Sequence, residues 1–373
     1  MWRARLSTSA GIRTNFAITR VGQHAKIRGE AMHSIEGITA NDVWSAARSL
    51  LTQPGAASLV EGRGGPTHEV LHVVCKIQQP RERWSVARVP PMNPAFAIAE
   101  LVWIITGRDD SAFLNRWNSK LPAFAGTGPA YDGAYGARLR RHFGIDQIRR
   151  VCDALSADSG SRQAVLQIWD PIQDLPYPNG RPASPDVPCN ICSLLKVRDG
   201  RLEWTQVMRS NDLFLGLPYN FIQFTYLQEI LAGCLRTSVG EYCHFADSLH
   251  IYERDIVHSN QVSMIIPSSN TDSLNAPLDE SDRYFAEMAA GIEAMSRGGS
   301  DNVYKTAMAL QLPAAYRNLV LVVAAEAARR KRVRGDVERC LDACTNPCLK
   351  QVYRLWDSSR NSRPEPAADS PID

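Results

Sequence analysis

The sequence has no apolar run near the ~20 residues of a membrane span. Its longest, Leu319–Ala325, is a piece of core helix in length, so no membrane partner is expected. It also lacks an excess of either charge: 42 basic and 39 acidic residues leave a net +3. That balance gives no argument for a nucleic-acid partner, and none is expected, while a local arginine cluster would still suit a small anion. There is no internal repeat. No second cysteine pair accompanies Cys189-Asn190-Ile191-Cys192 at ligand spacing, so a zinc or dithiol-redox reading has little behind it. The first 28 residues have no acid at all, yet carry Arg3, Arg5, Arg13, Arg20, Lys26 and Arg28. Such a stretch is transit-peptide-like; the competing readings are an unstructured extension or a start at Met32. Nine cysteines, an odd number, are expected as thiols in a cytoplasmic protein rather than as a disulfide framework.

What is present suits one large domain. The chain has 373 residues and 44% hydrophobic content, enough for a sizeable core. We expect an extension over residues 1–31, a single domain over 32–357 and a disordered tail over 358–373, rich in Ser, Pro, Asp and Arg. Asn41–Leu51 has the cap and spacing of a helix. Gly62–Thr67 is a glycine-rich loop leading to a strand at Val70–Ile77. Pro94–Ile105 is an apolar helix carrying one acid, Glu100. Tyr131–Leu139 is expected as a Gly/Tyr loop, Gln163–Trp169 as a strand and Asp170–Asp186 as a Pro/Gly loop. The runs Cys192–Val197 and Leu202–Met208 flank Asp199-Gly200, a hairpin signal. Phe221–Leu235 is a long helix, and Ala276 to Trp356 is mostly helical.

Several motifs offer chemistry. His68-Glu69-Val70-Leu71-His72 matches the H-E-x-x-H pattern that holds zinc on a helix. Its valines favour a strand, where the two histidines would share a face about 13 Å apart, too far for one metal. No metal is therefore expected. Cys340, Cys344 and Cys348 read as buried thiols, and Arg329–Arg332 as a solvated helix end. Glu100 is harder to set aside, because a buried carboxylate is costly unless bonded or functional. The densest group lies at 188–220. Cys189 offers a thiol and Arg209 a guanidinium, followed by Ser210, Asp212 and Asn220 around a Gly-Pro turn. A nearby cation favours the thiolate, the nucleophilic form of sulfur.

Pro188-Cys189 and Arg209-Ser210-Asn211-Asp212-Leu213-Phe214-Leu215-Gly216-Leu217-Pro218-Tyr219-Asn220, with His250-Ile251-Tyr252, resemble the core of the thymidylate synthase and pyrimidine nucleotide hydroxymethylase superfamily. Glu100-Leu101-Val102-Trp103 resembles that family's E-L-x-W helix, Tyr135-Gly136 with Arg138 its Y-G-x-x-R loop, and Ser161-Arg162 its phosphate-binding S-R-R. The resemblance spans about residues 60–255. It implies an α/β fold: a large twisted mixed sheet with packed helices, dimerising through the sheet. It implies an enzyme that transfers one carbon from 5,10-methylenetetrahydrofolate to C5 of a pyrimidine nucleoside monophosphate. Cys189 would add to C6 and make C5 nucleophilic. Arg209 would hold the 5′-phosphate and favour the thiolate. Arg63, Ser210 and Arg162 would also hold phosphate, Arg162 reaching in from the second subunit of a homodimer. Asn220 would read the pyrimidine edge, and His250 with Tyr252 would hold the ribose. Asp212 would meet the pterin, with Gly216 beside it. Glu100 would organise water and protons, Tyr135 would help remove the C5 proton, and Asn190 would flank the nucleophile.

The chain also departs from the pattern. Asn190 stands where thymidylate synthases usually have His, Gln163 replaces the second Arg of S-R-R, and Met208 replaces a Gln. The I-W-x-x-W motif is absent, its place taken by Leu121-Pro122-Ala123-Phe124-Ala125. Asp247 sits three residues before His250 rather than two, and the closing C-terminal tail is unlike the family's. Hydride transfer needs a dry, closed site, so these losses favour water addition and a 5-hydroxymethyl product. A divergent thymidylate synthase and a catalytically silent nucleotide-binding homologue are the alternatives. Uracil or cytosine, and ribose or deoxyribose, stay open, since an amide can flip its donor and acceptor ends.

Overall fold

The computed structural model describes residues 32–62, 64–259, 261–297 and 302–361. Among these residues eight strands form one mixed sheet: β1 (His33–Gly37), β2 (Ser58–Gly62), β3 (Gly65–Ile77), β4 (Val165–Gln167), β5 (Asn190–Arg198), β6 (Arg201–Met208), β7 (Asn211–Asp212) and β8 (Ser238–Tyr252). The order is β1-β3-β8-β6-β5-β4, with β2 beside β3 and β7 beside β8. The β5–β6 hairpin turns at Asp199 and Gly200, whose φ values of 50° and 71° suit a two-residue turn twisted like its strands.

One sheet face carries the helices. Helix α1 (Ala40–Thr52) opens with a capping box between Thr39 and Asp42 and buries Val43, Trp44, Ala47 and Leu51 at helical spacing. Helix α2 (Pro94–Ile105) is capped by Asn93, starts on proline and is buried nearly all round, Glu100 excepted. Helix α3 (Leu217–Cys234) is likewise buried through most of its length. Among the described residues, four longer C-terminal helices, α4 (Leu278–Ser296), α5 (Ala314–Arg330), α6 (Arg334–Ala343) and α7 (Pro347–Asn361), complete the layer with a short one at Val303–Ala309. No described helix is long and apolar enough to cross a membrane. On the opposite sheet face, a cross-strand row of Cys192, Val207, Phe245 and Val74 is only half-buried.

Four expectations need correction. The strand expected over Gln163–Trp169 is paired only at Val165–Gln167, because Ser161 Oγ turns the chain by accepting from Gln163 N. The loop expected over Asp170–Asp186 contains a helical turn at Pro171–Asp174, and Tyr131–Leu139 ends in helical turns. The last helix runs to Asn361; residues 362–373 and the N-terminal extension lie outside the described residues. Arg329 and Arg330 are not merely solvated. Both pair with Glu326, whose carboxylate is fully buried. Burial opposes its charge, but the two guanidiniums win and hold it below the usual carboxylate range.

The zinc reading fails on geometry. His68 and His72 lie in β3, but His72 has a φ of 58° and kinks the strand. His68 faces Glu253 at 3.7 Å and His72 bonds Asp247 at 2.9 Å, so each imidazole answers a different acid. All nine cysteines are thiols.

Candidate active site

The site forms where β5, β6, β7 and β8 meet the start of α3 and the middle of α2. Cys189 directly precedes β5 and Arg209 directly follows β6, so the hairpin returns the chain to its starting level. Arg209 N then donates to Cys189 O at 2.9 Å. The Arg209 side chain braces the same turn. Its Nε donates to Pro188 O at 2.9 Å, and its Nη2 donates to Val187 O at 3.1 Å and lies 3.9 Å from Cys189 Sγ. The guanidinium stands over Trp169, 5.4 Å from the ring centre. A thiol and a fixed positive charge therefore share one half-buried corner.

Tyr135 closes the corner from another direction. Its hydroxyl is pushed well above the ordinary tyrosine value, chiefly by burial, then by Cys189 and Glu100 beside it, with Arg209 opposing. Gly136 makes this approach possible, because a Cβ there would collide with the Ile104 carbonyl of α2. We expect Gly136→Ala to cost about 2 kcal/mol or more through overpacking, measured as a lower denaturation midpoint. An unchanged midpoint would show that the turn yields freely. Arg138, next along, is buried and paired with Asp174 at 3.0 Å. It anchors the loop before Cys189 rather than facing a ligand.

Glu100 borders the cleft. Burial raises its carboxyl to about 7, and a hydrogen bond from Gln223 works against that rise. Gln223 Nε2 donates to Glu100 at 2.6 Å, and Asn220 Nδ2 donates to Gln223 Oε1 at 3.0 Å. Asn220 and Gln223 are three apart on α3, hence on one helix face. Asn220 Oδ1 in turn accepts from Asn211 Nδ2 at 2.8 Å.

The remaining candidates line the other side. Ser210 Oγ lies 3.5 Å from His250 Nδ1, and His250 packs edge-on to Tyr252 with ring centres 5.5 Å apart. Arg63 lies outside the described residues, but its neighbour Gly64 sits where a Cβ would come within 3.0 Å of the Tyr252 ring and hydroxyl. Gly64 therefore packs on the same corner. Asp212 Oδ1 accepts from the backbone N–H groups of Phe214 and Leu215. Burial pushes its carboxyl up, against those N–H groups and His250. Its Oδ2 is buried with no hydrogen-bond partner among the described residues. An orphaned buried acceptor is costly, and a pterin, rich in N–H donors, fits it. Gly216 is needed for a local reason: a Cβ would sit 2.8 Å from Asn211 Nδ2.

Two candidates stand apart. Asn190 is fully buried, its amide oxygen taken by Gln206, and its Nδ2 has no partner among the described residues. Arg162 is exposed ahead of β4, and among the described residues no hydrogen bond or ion pair ties it to the cleft. Sequence reasoning missed Gln223, Asn211 and His244. The i, i+3 spacing of Asn220 and Gln223 was the one signal available for the first.

Comparison with known proteins agrees with this geometry. The thymidylate synthase family model matches residues 61–280. The chain belongs to the thymidylate synthase family. The deoxyuridylate hydroxymethyltransferase of Bacillus phage SP01 is 32% identical over 235 residues, covering 60% of each chain. That of Pseudomonas phage M6 is 33% identical over 196 residues, covering 52% of this chain and 54% of the phage protein. A putative thymidylate synthase of Methanothermobacter thermautotrophicus is 28% identical over 235 residues, 62% of this chain and 98% of its own. The chain thus spans between half and two thirds of the phage relatives' length.

Proposed function

We infer that the protein is a one-carbon transferase acting at C5 of a pyrimidine nucleoside monophosphate, with uracil as the base and a 5-hydroxymethyl nucleotide as product. The observation that carries the reaction class is the Cys189–Arg209 pair, Sγ 3.9 Å from a guanidinium that is itself fixed to the backbone on either side of the nucleophile. Names carried by the phage relatives favour the hydroxymethyl ending and the deoxyuridylate substrate. The turn at Pro122–Ala125 also favours water: it has no buried residue, and Phe124 is exposed rather than packed.

In this reading Cys189 Sγ bonds to C6 and the electron pair of the C5–C6 double bond moves to C5, which becomes the nucleophile. 5,10-Methylenetetrahydrofolate, the family's co-substrate, would supply the one-carbon unit at the oxidation level of formaldehyde. The C5 bond to that carbon forms as its bonds to folate nitrogen break, the C5 proton is lost, water adds to the transferred carbon, and Cys189 Sγ leaves C6 as the C5–C6 double bond returns. Asp212 Oδ2 would hold its N–H edge beside Gly216. Arg209 and Ser210 hold the nucleotide phosphate, with Arg63 and a partner copy's arginine at position 162 as further contributors; His250 and Tyr252 hold the sugar. Tyr135 and Glu100 handle the C5 proton and water, and the high value of the Tyr135 hydroxyl keeps it a proton donor until a base draws on it.

Incubation with 5,10-methylenetetrahydrofolate and dUMP or dCMP, read by mass spectrometry, tests the reading. A gain of roughly 30 Da means hydroxymethyl and roughly 14 Da means methyl, as water or hydride completes the covalent route. Absence of product from every pyrimidine would sink it.

The homodimer belongs to the same proposal. A half-buried apolar sheet face and an exposed Arg162 suit a second copy laid sheet to sheet. We expect Phe245→Asp to yield monomers with at least a tenfold loss of activity, measured by light scattering beside turnover. Active monomers would refute it.

A further inference from the structure

Behind the base-reading residue lies a buried chain of hydrogen bonds in which every donor points the same way. Burial pushes His244 down to about 3, so it is neutral and carries one N–H. The Tyr242 hydroxyl lies 2.9 Å from His244 Nδ1, and His244 Nε2 lies 2.8 Å from Asn211 Oδ1. Because Asn211 spends its Nδ2 on Asn220 at 2.8 Å, its Oδ1 must accept, so His244 bears its proton on Nε2. Nδ1 then accepts from Tyr242. Asn220 Nδ2 donates to Gln223 Oε1 at 3.0 Å, and Gln223 Nε2 donates to Glu100 at 2.6 Å. Glu100 in its ionised form only accepts, and it is that form, populated above the raised value of about 7, that sets the direction of the whole chain.

We propose that this relay, with Gln223 and Asn211 as its positioning residues, locks the Asn220 amide against flipping and so makes the site select a 4-oxo over a 4-amino pyrimidine. The inference rests on Asn220 reading the base, as in the proposed function. Turning the Asn220 amide alone would set oxygen against Gln223 Oε1 and N–H against Asn211 Nδ2, two clashes in a buried place. The locked amide keeps one N–H on the Glu100 side and one lone pair on the Asn211 side. C4 neighbours the reacting C5, which Glu100 and Tyr135 serve, so the N–H faces the C4 substituent and the lone pair faces N3. Uracil offers O4 and N3–H and satisfies both. Cytosine offers an amino group and a bare N3, and mismatches both.

Calorimetric titration of the full-length protein with dUMP and dCMP tests this without turnover. The unaltered protein should bind dUMP at least tenfold more tightly than dCMP. Gln223→Met, similar in length but unable to hydrogen-bond, should shrink that ratio at least tenfold while retaining Asn220. Gln223→Glu still accepts from Asn220 and shares a proton with Glu100, so it should keep the preference. Asn211→Leu releases the amide from its other side and should also shrink the ratio, so the test survives if Gln223→Met does not fold. A ratio unchanged within twofold in either folded variant, or equal weakening of both nucleotides, would overturn the relay. Failure of the unaltered protein to bind either nucleotide would instead overturn the functional reading beneath it.

Discussion

Replacing Cys189 by serine is expected to lower turnover by roughly a thousandfold or more, the scale on which lost nucleophiles act, while dUMP still binds within a few-fold of the original affinity. The reason is specific to this corner. Serine keeps the branching and the hydrogen-bond options of the position in a slightly smaller side chain, and Arg209, fixed by Pro188 O and Val187 O, stays where it is. What is lost is the polarisable sulfur that can ionise beside a guanidinium. Release of tritium from C5 of labelled dUMP reads the first half of the reaction alone, so it separates loss of adduct formation from loss of the later steps. Residual release at more than a few per cent of the normal rate would mean that another group attacks C6.

The second large effect concerns Glu100. Its carboxyl stands at about 7 in the folded protein, raised from 4.5 by burial. A raised acid stabilises the fold fully below its unfolded value, and that contribution is lost as pH rises through the folded value. At pH 8 the ionised group costs up to about 3 kcal/mol, less where the cleft admits water. Glu100→Gln cannot ionise, so it should melt a few degrees above the original protein at pH 8 and close to it at pH 5. The same change should reduce turnover by roughly 10²–10⁴, the usual contribution of a positioned acid or base. Thermal melts at the two pH values and C5 tritium release check both halves. A melting difference that does not grow with pH would contradict the raised carboxyl, and near-full turnover would remove Glu100 from the chemistry.

Local patterns carried much of the architecture. The capped, periodic run at α1 and the apolar run at α2 are helices within a residue of their expected ends. The Asp-Gly turn between two β-rich runs is a hairpin. These features are decided over a few residues by dihedral preference and side-chain spacing, which a linear reading captures. The errors fell where a distant partner decides. Arg329 and Arg330 looked like a solvated helix end, yet the Glu326 carboxylate that binds them both is fully buried and also accepts from Trp356, 30 residues on. β3 reads as a regular strand, yet His72 breaks its alternation to meet Asp247, 175 residues on.

The site divides in the same way. By itself the sequence determined which reactive groups exist and that Cys189 and Arg209 end two strands of one hairpin, because a hairpin's register is set by its turn. It also carried the resemblance that named the reaction. The tertiary structure alone decided that Glu100 and Asn220 are joined through Gln223, and that Asn211, His244 and Tyr242 extend the chain behind them. Those contacts link α2, α3, β7 and β8 across more than a hundred residues. A buried amide has no preferred direction of its own. It acquires one only when folding removes water and leaves particular donors and acceptors as its sole partners.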